Sequence, residues 1–205
     1  MEAFTRLDGL ACPLPFSGVD TDQLIPARFM KRSRAEGYGG YLLHDLRFDG
    51  EGRPRPDFPL NAPDRQGARV IVARRNFGSG SSREAAVYAL VDYGIRCVVA
   101  PSFGDIFASN AVNNGLLPAR VAEADCEAML AALQAGAGDI TVDLEACRIE
   151  LAGHAYGFEV EPVWRTKLLN GWDDLDLTMS HMDAVKAFVA ADAELRPWAA
   201  PRQAG

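Results

Sequence analysis

The 205-residue sequence is poor in residues that build covalent or metal frameworks. Its four cysteines, Cys12, Cys97, Cys126 and Cys147, are scattered and form no C-x-x-C pair. That spacing argues against a disulfide framework, a zinc site, or an iron–sulfur cluster held by this chain alone. Cys97 lies in the apolar run Cys97-Val98-Val99-Ala100 and reads as core packing. Histidine is equally scarce: His44, His154 and His181 are far apart, each reads as structural, and no Ser/His/Asp order with supporting context emerges. No apolar run approaches the length of a membrane span and no signal peptide is evident, so a soluble cytoplasmic protein is expected. Positive charge is in deficit, 21 Lys and Arg against 28 Asp and Glu, which argues against a nucleic-acid surface. The cluster Arg28, Lys31, Arg32 and Arg34 is a local exception that also reads as a solvated helix face. Internal repeats and low-complexity tracts are absent.

Apolar residues are plentiful, at 48%, enough for a sizeable core. Residues 3–11 read as a first strand, followed by an Asx/Pro turn region over Gly18–Pro26. Arg28–Arg34 reads as a short helix. Gly37–Asp64, rich in Gly, Pro and Asp, reads as a long irregular segment of the kind that is functional or mobile. Then the pattern becomes regular. Arg69–Arg74, Ile95–Ala100 and Leu116–Val121 read as apolar strands, separated by helices from about Ser82 to Tyr93 and over Phe103–Asn113. Such β-α-β-α-β order predicts parallel strands with right-handed crossovers. A helix over Glu123–Gln134, a hairpin of Ile140–Leu144 with Arg148–Ala152, and a strand over Tyr156–Val160 follow. The change from crossovers to hairpins predicts a mixed sheet. Pro162 suits the first turn of a helix reaching Asn170-Gly171. Met182, Val185, Phe188 and Val189 give a last helix one apolar face, for the body or for a partner.

The stretch with most chemistry is Asn76-Phe77-Gly78-Ser79-Gly80-Ser81-Ser82-Arg83-Glu84, between a strand and a helix. Its glycines allow a tight turn with exposed amides, and Ser81-x-x-Glu84 fits a capping box. Two serines and an arginine then stand at the positive end of a helix dipole, a place for a carboxylate or phosphate. A nucleotide loop fits poorly, because G-x-x-x-x-G-K-[ST] is absent and Arg83 occupies the third glycine position of G-x-G-x-x-G. A purely structural turn also fits. The sharper reading is a carboxylate site: Arg83 offers two parallel hydrogen bonds. Ser81 or Ser82 would then exchange a proton with a carbon beside the carboxylate. A serine hydroxyl is a poor base near pH 7 unless amide donors, a helix end and a cation stabilise its alkoxide.

Five segments together carry a resemblance. They are Val19-Asp20-Thr21-Asp22-Gln23-Leu24-Ile25-Pro26-Ala27-Arg28-Phe29, Asn76 to Glu84, Ala100-Pro101-Ser102-Phe103-Gly104-Asp105-Ile106-Phe107, Asn113-Asn114-Gly115-Leu116-Leu117-Pro118, and Leu168-Leu169-Asn170-Gly171-Trp172-Asp173-Asp174. In that order they closely resemble the small-subunit family of 3-isopropylmalate dehydratase, in the aconitase superfamily, over nearly the whole chain. The resemblance implies an α/β fold: a swivelling β/β/α domain with a mixed sheet flanked by helices, like the last domain of aconitase. Residues 1–165 would form that domain, with the irregular segment at about 30–64, and residues 166–205 a C-terminal helical extension. It implies no cofactor in this chain, a large partner subunit carrying a [4Fe–4S] cluster, and a small dicarboxylate substrate, with neither nucleic acid nor membrane as partner. The implied reaction removes water from 2-isopropylmalate and returns it with the opposite regiochemistry, in leucine biosynthesis.

By the same resemblance Ser81 is the candidate base, and Ser82 and Arg83 bind a substrate carboxylate. Asp22 matches an acid near the active site, and Arg47 a second carboxylate-binding arginine. Phe29, Met30, Lys31 and Arg32 fall where the family has a loop linked to substrate choice; ordinary packing is the competing reading. The chain departs from the family pattern at Ser79, usually Cys, at Ala85, usually His, and at Val87-Tyr88, commonly Pro-Trp. Those departures leave open a paralogue for another substituted malate, such as 2-methylmalate or dimethylmalate. A non-catalytic anion-binding module is the alternative from a different class.

Overall fold

The sheet changes character halfway along its first strand. The computed structural model describes residues 1–199. Its strands are β1 (Arg6–Leu14), β2 (Val70–Ala73), β3 (Cys97–Ala100), β4 (Leu117–Arg120), β5 (Asp139–Asp143), β6 (Arg148–Leu151) and β7 (His154–Gly157). Among the described residues they form one seven-stranded sheet in the order β4-β3-β2-β1-β5-β6-β7. Residues Arg6–Leu10 of β1 pair antiparallel with β5, and Ala11–Leu14 pair parallel with β2. Pro13 is tolerated for that reason: β5 pairing has ended by then, so its missing N–H leaves no ladder position empty on that side. β2, β3 and β4 are parallel, and β5, β6 and β7 antiparallel, as the change from crossovers to hairpins predicts.

Helices α1 (Thr21–Leu24), α2 (His44–Arg47), α3 (Ala85–Tyr93), α4 (Asp105–Asn113), α5 (Glu123–Gln134), α6 (Pro162–Asn170), α7 (Asp174–Ser180) and α8 (Met182–Leu195) accompany the sheet. Alternate residues of the parallel strands feed two cores, because side chains in a strand point to opposite faces. Ile71, Ala73, Val98 and Ala100 pack with Ala86, Val87, Ala89 and Leu90 of α3 and with Leu24, Leu42 and Leu43. Val70, Val72, Cys97 and Val99 pack instead with Cys126, Met129, Leu130 and Leu133 of α5. Burial on both faces makes these strands wholly apolar. The buried Arg65 ties the layers together: Nη1 donates to the Ala11 and Ala137 carbonyls at 3.0 and 2.7 Å, and Nη2 to Leu133 at 2.9 Å. A cation there also complements the negative end of α5.

Several boundaries differ from the sequence reading. β1 ends at Leu14 rather than residue 11 because β2 continues its pairing. The last strand begins at His154, ahead of the expected Tyr156. Ala152 (φ 51°) and Gly153 (φ 77°) form a two-residue hairpin loop with positive φ at both positions, which brings Leu151 opposite His154. Arg28–Arg34 is not one α-helix but two 3₁₀ turns, Ala27–Lys31 and Arg34–Glu36. The segment read as irregular contains α2 and 3₁₀ turns at Tyr38–Tyr41, Pro59–Asn61 and Pro63–Arg65. Tertiary contacts fix it: the Tyr38 amide donates to the Asp92 carboxylate at 3.1 Å, and the Arg34 guanidinium lies 3.8 Å over the Tyr88 ring. The last helix, α8, stands where the apolar spacing places it, and a further short helix, α7, precedes it; neither has a buried residue. Residue 165 falls within α6, whose Leu168 is buried in the second core. Among the described residues, no helix is long and apolar enough to cross a membrane.

Candidate active site

Three chain reversals meet at the carboxyl ends of β1, β2 and β3. In open α/β sheets that edge is where ligands bind. The loop after β2 is held on both sides. Toward the turn after β1, Gly78 N–H donates to Val19 at 2.7 Å and Thr21 N–H to Ser79 at 2.9 Å. Toward the loop after β3, Phe77 N–H donates to Ser102 at 3.0 Å and Gly104 N–H to Phe77 at 2.9 Å. The buried Phe77 ring anchors the loop from below, edge-on to Phe107 at 5.4 Å and to Phe103 at 6.4 Å. Gly78 (φ 72°) and Gly80 (φ 102°) adopt the left-handed conformations this path requires.

Ser81 is half-buried on this ledge. Its N–H donates to Thr21 Oγ1 at 3.1 Å, and its Oγ lies 3.0 Å from the same Thr21 oxygen. The capping box expected from Ser81-x-x-Glu84 is therefore absent. Ser81 is committed to Thr21, and Glu84 accepts from Asn114 at 2.9 Å. As a result α3 begins at Ala85, with no side-chain cap. A cleft of about 190 Å³ opens beside the serine, lined by Gly78, Ser79, Ser81, Gly104, Ile106 and Phe107. A larger one, about 580 Å³, lies over the antiparallel strands between Asp8, Thr141, Arg148 and His154. It has the volume but not the Gly-Ser loop or the parallel-strand edge.

Arg83 pairs with Asp22, the residue after Thr21 in α1, so Ser81, Arg83 and Asp22 gather around one short helix. Its own N-terminus steadies that helix. Asp20 caps it by accepting from Gln23 N–H at 2.7 Å, and the Asp20 N–H donates to Gln23 Oε1 at 3.0 Å. Ser82 is exposed in the same loop. Arg47 belongs to a different network. Its Nε donates to Asn61 at 3.1 Å, Nη1 donates to the Leu42 carbonyl at 3.2 Å, and the guanidinium lies 4.9 Å over the Tyr93 ring. Phe29 is stacked on Tyr41 at 4.2 Å, Arg32 pairs with Glu36 at 3.3 Å, and Met30 and Lys31 are exposed. Thr21 is the residue that sequence reasoning passed over. Its signal was its position inside the Val19–Asp22 turn, where a buried hydroxyl needs a partner.

Among the described residues, no group of three or more His, Cys, Asp or Glu could hold a metal ion. The cysteine set does not fit a cluster either. Cys12, Cys97 and Cys126 are fully buried in two separate cores, and burial pushes the Cys12 and Cys126 thiols up to about 12. A cluster needs convergent thiolates.

The mixed sheet, with the Gly-Ser loop at its parallel edge, fits an α/β domain of the aconitase C-terminal class. The profile of the aconitase C-terminal domain matches residues 1–124. Relatives aligned along nearly the whole chain narrow that class. The 3-isopropylmalate dehydratase small subunit of Rhodospirillum centenum is 49% identical over 201 residues, covering 97% of this chain and 99% of the relative. That of Brucella anthropi is 45% identical, covering 97% and 100%. The crystal structure of 3-isopropylmalate dehydratase (LeuD) from Methanocaldococcus jannaschii superposes with a TM-score of 0.63 at 26% identity, covering 89% of this chain and 99% of that one. The chain belongs to the 3-isopropylmalate dehydratase small-subunit family.

Proposed function

We propose that this chain is the non-cluster half of a heteromeric hydro-lyase that interconverts 2-isopropylmalate and 3-isopropylmalate by dehydration and rehydration. The observation that carries this reading is the half-buried Ser81 hydroxyl, held by Thr21 beside a cleft, with Arg83 two residues on. Arg83 and Ser82 bind a substrate carboxylate, which brings the adjacent C–H to the Ser81 oxygen. Ser81 takes that proton in dehydration and returns it in rehydration. The positive end of α3 and the nearby guanidinium favour the oxyanion needed for that step. Asp22, now paired with Arg83, orients the guanidinium and yields a share of it to the substrate. Met30, Lys31 and Arg32 are the exposed members of the 29–32 turn and are assigned to substrate choice, whereas Phe29 packs on Tyr41. Arg47 is assigned to shaping residues 42–61, so any contact it makes with substrate comes through its remaining donors.

The family resemblance assigns a [4Fe–4S] cluster to the large partner subunit, where it supplies Lewis-acid chemistry toward hydroxyl and carboxylate oxygens. Four free cysteines, three of them buried, suit a cytoplasmic setting. Helices α7 and α8 are proposed as the extension beyond the swivelling body. The test is co-expression with a large subunit. The purified chain is expected to be inactive on 2-isopropylmalate alone and to gain activity in the complex; a complex that forms without activity on any substituted malate would contradict the proposal.

A second reading concerns only the substrate. Ala85 stands at the first position of α3, next to the loop, where the family usually has His. Alanine there lacks the ring nitrogens that could hydrogen-bond near the proposed base, so a paralogue for 2-methylmalate or dimethylmalate is the competing reading, and relative rates over a panel of substituted malates decide between them.

A further inference from the structure

We propose that Thr21 is the positioning residue for Ser81: its hydroxyl fixes the serine side chain and donates a hydrogen bond to the serine oxygen once that oxygen is deprotonated. The proposal rests on the reading of Ser81 as the base. Its physical basis is an oxygen with only one good use for its proton.

Thr21 is 1% exposed, so its hydroxyl has no access to bulk water. One lone pair of Oγ1 already accepts the Ser81 N–H at 3.1 Å. Thr21 is also the first residue of α1, so the carbonyl four residues earlier, to which helical threonines often donate, is not part of any helix. The remaining neighbour is Ser81 Oγ at 3.0 Å. In the neutral pair either hydroxyl can donate. When Ser81 carries negative charge, only Thr21 has a proton to give, and a hydrogen bond to a charged oxygen is about twice as strong as a neutral one. The contact therefore strengthens in the state that catalysis requires.

The surroundings hold this geometry in place. The Thr21 backbone N–H donates to the Ser79 carbonyl at 2.9 Å, so residue 21 grips the loop through backbone and side chain together. Gly80 lets the loop turn toward Thr21, because its φ of 102° is one that L side chains rarely adopt. A β-branched threonine has few χ1 choices, which keeps the hydroxyl aimed at the serine.

Two measurements test the proposal separately from the reading on which it rests. The first uses the isolated chain and needs no turnover. In Ser81→Cys the thiolate is followed by its ultraviolet absorbance against pH, with and without Thr21→Val. Loss of the donor is expected to raise the midpoint by about one pH unit, whereas Thr21→Ser keeps it low. Equal midpoints in all three proteins overturn the proposal. If Thr21→Val does not fold, Thr21→Ala removes the same hydroxyl and serves in its place. The second uses the assembled enzyme. Thr21→Val is expected to lower kcat about 10- to 100-fold with KM little changed, and Thr21→Ser to restore most of it. If Ser81→Ala abolishes turnover while Thr21→Val does not lower it, Thr21 has no such role and Ser81 remains the base. If Ser81→Ala retains turnover, the reading of Ser81 as base fails, and the thiol titration still decides whether Thr21 donates to position 81.

Discussion

Gly78 lies directly against the ring of Phe107, leaving no room for a methyl group between them. A Cβ on Gly78 would overlap the ring carbons, and its φ of 72° disfavours any L side chain. Gly104 is as tightly constrained, its would-be Cβ 2.6 Å from the Gly78 carbonyl oxygen. The two glycines let the loops after β2 and β3 stack without an intervening layer, and the Ser81 ledge depends on that stack. Gly78→Ala is therefore expected to destabilise the fold by about 2–4 kcal/mol through strain and overpacking together. Chemical denaturation checks this. A midpoint equal to that of the unsubstituted chain would mean that the loop is not held by this contact.

Arg83 offers a planar fork that a lysine ammonium cannot reproduce. Arg83→Lys in the assembled enzyme is expected to raise KM for the dicarboxylate and lower kcat/KM by about 10- to 100-fold, the scale of one lost charge-assisted pair. Steady-state kinetics over a range of substrate concentrations measure it. Unchanged kcat/KM would exclude Arg83 from carboxylate binding.

Acid stability has one local contribution with a definite sign. Arg28 Nη1 donates to the Asp45 carboxylate at 2.8 Å, and this pairing lowers the Asp45 pKa from 3.8 to about 2. A depressed carboxylate pKa stabilises the fold above the unfolded value and loses that contribution as pH falls from about 4 toward about 2. Because Asp45 is 55% exposed, solvent screening holds the effect to about 0.5 kcal/mol. Asp45→Asn is expected to be less stable by that margin at about pH 5 and equal below about pH 2, as read by urea denaturation at each pH. A difference that grows on acidification would contradict the assignment.

Cysteine reactivity reports the two cores. Cys12, Cys97 and Cys126 are buried with raised thiol pKa values, while Cys147 is half-buried at a turn. Iodoacetamide at about pH 8 is expected to label Cys147 alone in the native chain and all four cysteines after denaturation. Rapid native labelling of Cys97 would show that β3 is not sealed as described.

The parallel half of the fold was legible because its strands are continuous apolar runs, such as Val70–Ala73, and periodicity needs no tertiary information there. The order of crossovers and hairpins predicts the mixed sheet for the same reason. The start of α3 was misread because Ser81 and Glu84 satisfy a local capping pattern, yet tertiary partners, Thr21 and Asn114, take both side chains. Residues 37–64 read as irregular because their order comes from distant anchors such as Asp92 and Tyr93, which no local window contains. At the site, the motif named Ser81, Ser82 and Arg83. It gave no hint that Arg47 is tied to Asn61, or that a buried threonine 60 residues earlier holds the serine.

The most direct measurement is turnover of 2-isopropylmalate by the assembled enzyme with Ser81→Ala in this chain. Loss of a proton-transfer group predicts a fall of about 10²-fold or more in kcat while the complex still assembles. Near-normal kcat in an intact complex would contradict the assignment of Ser81 as the base.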